Sequence, residues 1–259
     1  MNESVIVLKG LRKSYGKGSE RKEVLKGIDL EIKGGQIIGY IGPNGAGKST
    51  TVKILCGLLK DFEGEILVNG LDLKQNEMEI KRKIGYVPET SALYETLTPN
   101  EYLGLLSTLF EIPEDKTKER IESLLKFFGM SEHANQRMDS FSKGMRQKIL
   151  IIAGVINNPE ILFLDEPLSG LDANSVILVK EMLTKLAAQG KTIFYSSHLM
   201  DVVEKISDRI VLINEGVVIA DGTFEELKLD NSSLEQVFAR LTGSTENVEE
   251  TNALFESLN

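Results

Sequence analysis

The stretch that decides the fold is GPNGAGKST, residues 42–50. It follows an apolar run at residues 37–41, which predicts a short buried strand, and it leads into residues 49–59, whose pattern predicts a helix. Glycines at this spacing let the backbone wrap closely around a phosphate group, and the N–H groups at the helix start attract its negative charge. The stretch therefore predicts a phosphate-binding loop for a nucleoside triphosphate, in which Lys48 reaches the β- and γ-phosphates and Ser49 ligates Mg²⁺.

This loop alone leaves kinases, GTPases, helicases and transporter motors open. A second feature is ILFLDE, residues 161–166, in which four apolar residues end in two acids. A buried parallel strand delivers its carboxyl end to the crevice where ligands bind. There Asp165 suits the Mg²⁺ shell, and Glu166 suits a general base that activates the attacking water. The alternative is that the two acids cap the turn before Pro167.

Apolar strand patterns and helical patterns alternate along most of the chain, which predicts an α/β fold with a mostly parallel sheet covered on both faces. The pattern at about residues 90–157 is helical and predicts an inserted subdomain in a domain spanning residues 1–243. Residues 244–259 are polar and acidic and are expected to form a flexible tail. Turns are predicted at Asn69-Gly70, between strands at 64–68 and 84–87, and at 214–216, between strands at 210–213 and 217–220.

Composition narrows the possible functions of this chain of 259 residues. The formal net charge of −9 argues against nucleic-acid binding, because such proteins need a basic footprint. Cys56 is the single cysteine, so it cannot form an internal disulfide and a reducing compartment is expected. No apolar run approaches the roughly 20 residues that a membrane helix needs, and the first residues carry no secretory pattern. If the protein serves a membrane process, its membrane-spanning part is expected in another chain.

Four further segments follow one another along the chain: IGYVPE at residues 84–89, FSKGMRQ at 141–147, SGLD at 169–172 and SH at 197–198. Together with the phosphate loop and the carboxylate strand, they resemble in order and spacing the ATP-binding subunit of the ABC transporter family. The resemblance extends over residues 5–243. It implies a P-loop NTPase core with a mostly parallel sheet, an antiparallel β subdomain and an inserted α-helical subdomain.

The resemblance also implies roles for residues outside the phosphate loop. Ser142 and Gly144, at a predicted helix start, bind the phosphate of an ATP held by the opposite subunit, so that two chains sandwich two ATP molecules head to tail. His198 donates a hydrogen bond to the γ-phosphate. Tyr15 stacks on adenine, although an aromatic packed on the sheet is the alternative. The predicted ATP-binding residues are Tyr15, Gly42, Pro43, Asn44, Gly45, Ala46, Gly47, Lys48, Ser49, Thr50, Ser142, Gly144 and Asp172. The predicted catalytic residues are Lys48, Glu166 and His198, and the predicted Mg²⁺ ligands are Ser49, Asp165 and Glu89, the last at a position where the family usually has Gln.

The function that the resemblance implies is ATP hydrolysis coupled to transport through a separate transmembrane permease. Lys143 and Met145 in the 141–147 segment, and SLEQVF at residues 233–238, resemble the branch that pairs with ABC-2-type permeases, often exporters. Export, a second ATP-binding subunit in a homodimer, and a position on the cytoplasmic face of the cell membrane are therefore expected. The alternatives are a soluble ABC-type ATPase in translation or DNA maintenance, and a phosphate-loop kinase acting on a small molecule.

Overall fold

Two β-sheets form the framework of the computed structural model, which describes residues 4–90, 93–228 and 232–243. The predicted tail at residues 244–259 lies outside these residues. The strands are β1 (Ser4–Tyr15), β2 (Lys22–Lys33), β3 (Ile37–Ile41), β4 (Glu63–Val68), β5 (Leu71–Asp72), β6 (Ile84–Val87), β7 (Ile161–Asp165), β8 (Thr192–Ser196), β9 (Arg209–Asn214) and β10 (Val217–Gly222).

One sheet is antiparallel and has the order β2-β1-β4-β5. The other has the order β10-β9-β3-β8-β7-β6, in which β10 is antiparallel to β9 and the remaining strands are parallel. Parallel strands need long crossover connections, and helices supply them here. This arrangement confirms the predicted α/β fold with a mostly parallel sheet and a separate antiparallel sheet.

The strands of the mostly parallel sheet are apolar because both of their faces are buried. Along β7, Ile161 and Phe163 pack into the core shared with the antiparallel sheet, and Leu162 and Leu164 pack into the core on the opposite face. Each of these four side chains is at most 1% exposed. The sheet therefore fixes the position of the strand end that carries Asp165.

Helices cover both faces of this sheet. Helices α1 and α2 contribute to the core beside the antiparallel sheet, and α3 to α7 and α9 contribute to the other core. None of the helices in the described parts of the chain combines the length and apolar character that crossing a lipid bilayer requires. The helices are α1 (Lys48–Leu55), α2 (Glu77–Lys83), α3 (Pro99–Leu109), α4 (Glu114–Phe127), α5 (Lys143–Val155), α6 (Ala173–Ala188), α7 (Met200–Ile206), α8 (Phe224–Leu227) and α9 (Leu234–Thr242).

The connection after β4 differs from the sequence prediction. The Asn69-Gly70 turn joins β4 to the two-residue β5, with Val68 paired to Leu71, and the strand at 84–87 belongs to the other sheet. Helix α2, which lies between β5 and β6, is absent from the prediction because it is polar and Ile80 is its buried apolar residue. The hairpin of β9 and β10 is confirmed. Helices α3 to α5 fall within the predicted subdomain at residues 90–157, whose boundaries stay a prediction.

Helix α5 lies directly against β6, and glycines permit this close contact. A Cβ atom added to Gly85 would lie 1.9 Å from the backbone oxygen of Gly154. We expect Gly85→Ala to lower the free energy of unfolding by about 1–3 kcal/mol, because the helix must shift to make room. Urea denaturation checks this value. Gly104→Ala is the matched control, since nothing lies within 4 Å of its added Cβ; it should raise stability by about 0.5–1 kcal/mol. Equal effects of the two variants would contradict the packing argument.

Candidate functional site

The phosphate-binding loop runs between β3 and α1, as the sequence predicts. Gly47 precedes the helix with φ 111°, a left-handed conformation that favours glycine. A Cβ there would lie 2.5 Å from Leu25 Cδ2, and one at Gly42 would lie 2.2 Å from the backbone oxygen of Ile213. The loop is therefore pressed against β2 and β9. Gly42 is required by space, and Gly47 is required by both space and conformation.

The side chain of Lys48 is buried beneath this loop. Its Nζ donates hydrogen bonds to the backbone oxygens of Gly42, at 2.7 Å, and Pro43, at 3.2 Å. Burial lowers the pKa of the ammonium below its usual value. The carboxylates that oppose this shift belong to Glu166, Asp165 and Glu89.

The two acids of the carboxylate strand, Asp165 and Glu166, differ in backbone conformation. Asp165 is the last residue of β7 and is 2% exposed, whereas Glu166 lies just beyond the strand. Glu166 has φ 49°, which is uncommon for a residue with a side chain. Its N–H donates to the backbone oxygen of Ser196 at 2.9 Å, and its own carbonyl accepts from the N–H of Ser169 at 3.2 Å. These bonds hold the carboxylate at the edge of the sheet.

The carboxylate of Glu166 meets the residues that follow β8. His198 Nδ1 lies 2.9 Å from Glu166 Oε2. The buried hydroxyl of Ser197 donates to the same oxygen at 3.2 Å and accepts from the N–H of Leu199 at 3.1 Å. Because Nδ1 of the histidine ring faces Glu166, its Nε2 is left for another partner. The structure thus brings together the predicted pair Glu166 and His198, and it adds Ser197, which sequence analysis did not assign to the site.

A cavity of about 930 Å³ collects most of the predicted residues. Its volume lies at the upper end of the range usual for small-molecule sites. The residues that line it are Tyr15, Lys22, Glu23, Val24, Lys26, Asn44, Gly45, Gly47, Lys48, Ser49, Thr50, Glu89, Asp165, Glu166, His198 and Glu215.

Six of the described residues predicted to bind ATP do not line this cavity. Gly42 and Pro43 face Lys48 through their carbonyl groups. Ala46 is 2% exposed, and its carbonyl accepts from the N–H of Gly216. The remaining three, which belong to the segments at 141–147 and 169–172, are Ser142, Gly144 and Asp172.

Ser142 caps the amino end of α5, since its hydroxyl accepts from the N–H of Met145 at 3.2 Å. This confirms the predicted helix start. Asp172 caps α6 in the same way and accepts from both the N–H and the hydroxyl of Ser175, which lowers the pKa of Asp172. The Ser142 hydroxyl is on an exposed residue, so the end of α5 is open to an anion.

Helix α5 also contacts the loop that follows Glu166. The buried Gln147 side chain donates to the backbone oxygen of Pro167 at 2.9 Å. Lys143 Nζ donates to the hydroxyl of Ser169 at 2.9 Å. The amino end of α5 is therefore tied to the loop that follows the candidate base of the same chain.

Sequence analysis missed most of the residues at the outer end of the cavity. Lys22, on β2, pairs with Tyr15 on β1, and this register brings the start of β2 into the cavity wall. Glu215 comes from the turn between β9 and β10, which packs against the loop through Gly216. Their positions depend on the pairing of distant strands and carry no local motif. The missed residues are Lys22, Glu23, Val24, Lys26 and Glu215.

Comparisons with known proteins point to one family. The profile of a family described as ABC transporter matches residues 25–169. The linearmycin resistance ATP-binding protein LnrL of Bacillus subtilis is 38% identical over 217 residues, which cover 84% of this chain and 68% of that protein.

Two solved structures share the fold. An ATP-binding subunit of an ABC transporter superposes with a TM-score of 0.85 at 32% identity, over 92% of this chain and 100% of that one. The ATP-binding cassette MJ0796, solved as a dimer in a post-hydrolysis state with ADP and Pi bound, gives a TM-score of 0.78 at 29% identity, over 84% of this chain and 98% of that one. With the motifs and the phosphate loop, these likenesses confirm the resemblance drawn from the sequence. The chain belongs to the ABC transporter family, as one of its ATP-binding proteins that hydrolyse ATP.

Proposed function

We propose that this chain hydrolyses Mg²⁺-bound ATP between two of its copies and thereby drives export through a separate permease. The predicted site residues fall into two groups, of which one lines the cavity and the other does not, and this division carries the proposal. Lys48 and Glu166 line the cavity, whereas Ser142 and Gly144 do not. A second copy placed head to tail supplies the missing group to each cavity. The dimeric state of the MJ0796 cassette supports this arrangement.

In this proposal each cavity residue has a separate role in binding or hydrolysing the triphosphate. The loop N–H groups and Lys48 hold the β- and γ-phosphates. Glu166 accepts the proton of the attacking water. His198 donates a hydrogen bond to the γ-phosphate. Through its contact with Glu166, it also connects the γ-phosphate to the general base. At the outer end, Tyr15, which is 43% exposed, offers its ring to the adenine.

The cavity also suits Mg²⁺. Asp165 Oδ1 is buried and has no hydrogen-bond partner among the described residues, as expected of an acceptor reserved for a cation or its water. Within residues 4–90, 93–228 and 232–243, no three His, Cys, Asp or Glu side chains are grouped to hold a metal ion by themselves. Mg²⁺ commonly takes one or two protein ligands and completes its shell with phosphate and water. Ser49, Asp165 and Glu89 are the proposed protein contributors, and the ion would neutralise charge on the phosphates.

Two observations outside the cavity support export and a permease partner. LnrL is named for resistance to linearmycin, and moving a compound out of the cell is one route to resistance. An exposed apolar stripe is formed by Leu105 and Leu109 of helix α3 and by Tyr94, which precedes the helix; these residues are 43%, 67% and 66% exposed. Leu105 and Leu109 are one helical turn apart, and the Tyr94 ring packs near Tyr102 of the same helix. An exposed apolar surface of this kind is typical of an interaction site, and we assign it to the permease. The chain would then work on the cytoplasmic face of the cell membrane.

The stripe on α3 gives a direct test of this assignment. We expect Leu109→Lys to reduce the amount of chain that sediments with cell membranes by about tenfold, because the charge opposes burial against a partner. ATP hydrolysis by the purified chain should stay unchanged. Ile177→Lys is the matched control, since Ile177 on α6 is 54% exposed and lies outside the stripe. Equal membrane loss in both variants, or none in either, would contradict the assigned surface.

Two measurements separate this proposal from the alternatives. Phosphate released to water without any acceptor excludes a small-molecule kinase. Purification of the tagged chain from detergent-solubilised membranes should bring down a membrane protein. Recovery with ribosomes or DNA would favour the soluble ABC-type ATPase instead.

A further inference from the structure

Lys13 is a buried lysine beside the outer end of the cavity. Its side chain is 7% exposed and lies on the same inward face of β1 as Leu11. Its Nζ donates to the backbone oxygen of Asp61 and, at 3.2 Å, to Asp61 Oδ2. The Asp61 side chain is 99% exposed, so water screens its carboxylate. Burying an ammonium is costly unless it is paired and hydrogen-bonded, and Asp61 supplies both kinds of contact.

The ring of Tyr15 provides a further contact. Lys13 Nζ lies over this ring, 5.0 Å from its centroid, within the range of cation–π attraction. The two residues are two positions apart on one strand, so their side chains share a face. The ring nevertheless lines the cavity and is 43% exposed. One face of the ring therefore meets a desolvated cation while the ring remains open to the cavity.

We propose that Lys13 is a positioning residue that holds the Tyr15 ring from behind and thereby sets the affinity of the site for the base of the nucleotide. This rests on the stacking role proposed above for Tyr15. The cation restricts the ring to an orientation that suits stacking. It also draws the ring electrons toward itself, which leaves the outer face poorer in electrons and a better partner for an electron-rich purine. The phosphate end of the site does not depend on this contact.

The test compares ligands with and without a base. The purified chain is titrated with ADP and with inorganic pyrophosphate, neither of which leads to ATP turnover. We expect Lys13→Met to weaken ADP about tenfold and to leave pyrophosphate within about twofold. Lys13→Arg, which keeps a cation, should restore most of the ADP affinity. Lys9→Met is the matched control, because it removes the same charge from an exposed position on the same strand and should change neither ligand.

A double-mutant cycle with Tyr15→Leu identifies the contact. Tyr15→Leu should weaken ADP, and adding Lys13→Met should weaken it little further. If Lys13→Met does not fold, Lys13→Gln removes the charge and retains a donor for the Asp61 carbonyl. Unchanged ADP affinity, equal weakening of ADP and pyrophosphate, or additive losses would overturn the inference alone. Unchanged ADP affinity in Tyr15→Leu would instead remove the stacking role on which it rests.

Discussion

The Glu166→Gln variant is expected to bind ATP with nearly unchanged affinity while its turnover falls by about 10²- to 10⁴-fold. The amide has the shape of the carboxylate and retains an oxygen for the Ser197 hydroxyl, but it cannot take a proton from water. Lys48 and the loop that hold the triphosphate are untouched. With hydrolysis blocked and binding intact, ATP should hold two copies together. Phosphate release, calorimetric titration and size-exclusion chromatography with ATP measure the three effects.

Glu215→Gln is the matched control for this result. Glu215 lines the same cavity, but it lies at the outer end, 4.0 Å from Lys26. The same loss of charge there should leave turnover within a few-fold of the wild type, since the group is not at the attacking water. A similar collapse in both variants would show that negative charge in the cavity matters and that Glu166 is not the base.

Ser142→Arg is expected to lower hydrolysis at least about 100-fold without weakening ATP binding to the same chain. The hydroxyl caps α5 at its exposed amino end, where an arginine would obstruct the approach of the second copy. The cavity that contains Lys48 does not include Ser142, so the cavity is expected to bind ATP with unchanged affinity. Steady-state phosphate release and equilibrium ATP binding measure the two effects separately. Loss of ATP binding by Ser142→Arg would mean that one chain forms the site alone.

Mixing two inactive variants tests the shared site further. Lys48→Ala is expected to remove ATP binding from its own cavity. In a mixed dimer, the Lys48 loop of the Ser142→Arg chain meets the intact Ser142 of the Lys48→Ala chain. One complete site is thereby rebuilt, and part of the hydrolysis should return. Mixed dimers that form but show no recovery would contradict a site divided between subunits.

The framework of the fold was predictable because its signals are local. The strand at residues 161–165 is apolar at every position before Asp165, as burial on both faces demands. The loop at 42–50 identifies the strand and helix on either side of it. Strand β5 was missed because it has only two residues, and helix α2 was missed because it is short and mostly polar, with Ile80 as its buried apolar residue.

The positions of the residues at the inner end of the cavity were predictable for the same reason, whereas most of those at the outer end were not. Lys48, Asp165 and His198 each belong to a motif, so their roles can be inferred one segment at a time. Lys13 carries a weaker signal, because it alternates with Leu11 on the inward face of β1 but belongs to no motif. Lys22 enters the cavity wall only through its pairing with Tyr15, which no local pattern specifies.

The left-handed backbone of Glu166 has a consequence for the stability of the chain. A residue with a Cβ atom at φ 49° is held there against its own preference, at a cost of about 1 kcal/mol or more. Glycine would occupy the same position without that strain. The position therefore favours glycine on conformational grounds, and the glutamate keeps a carboxylate there at some cost in local strain.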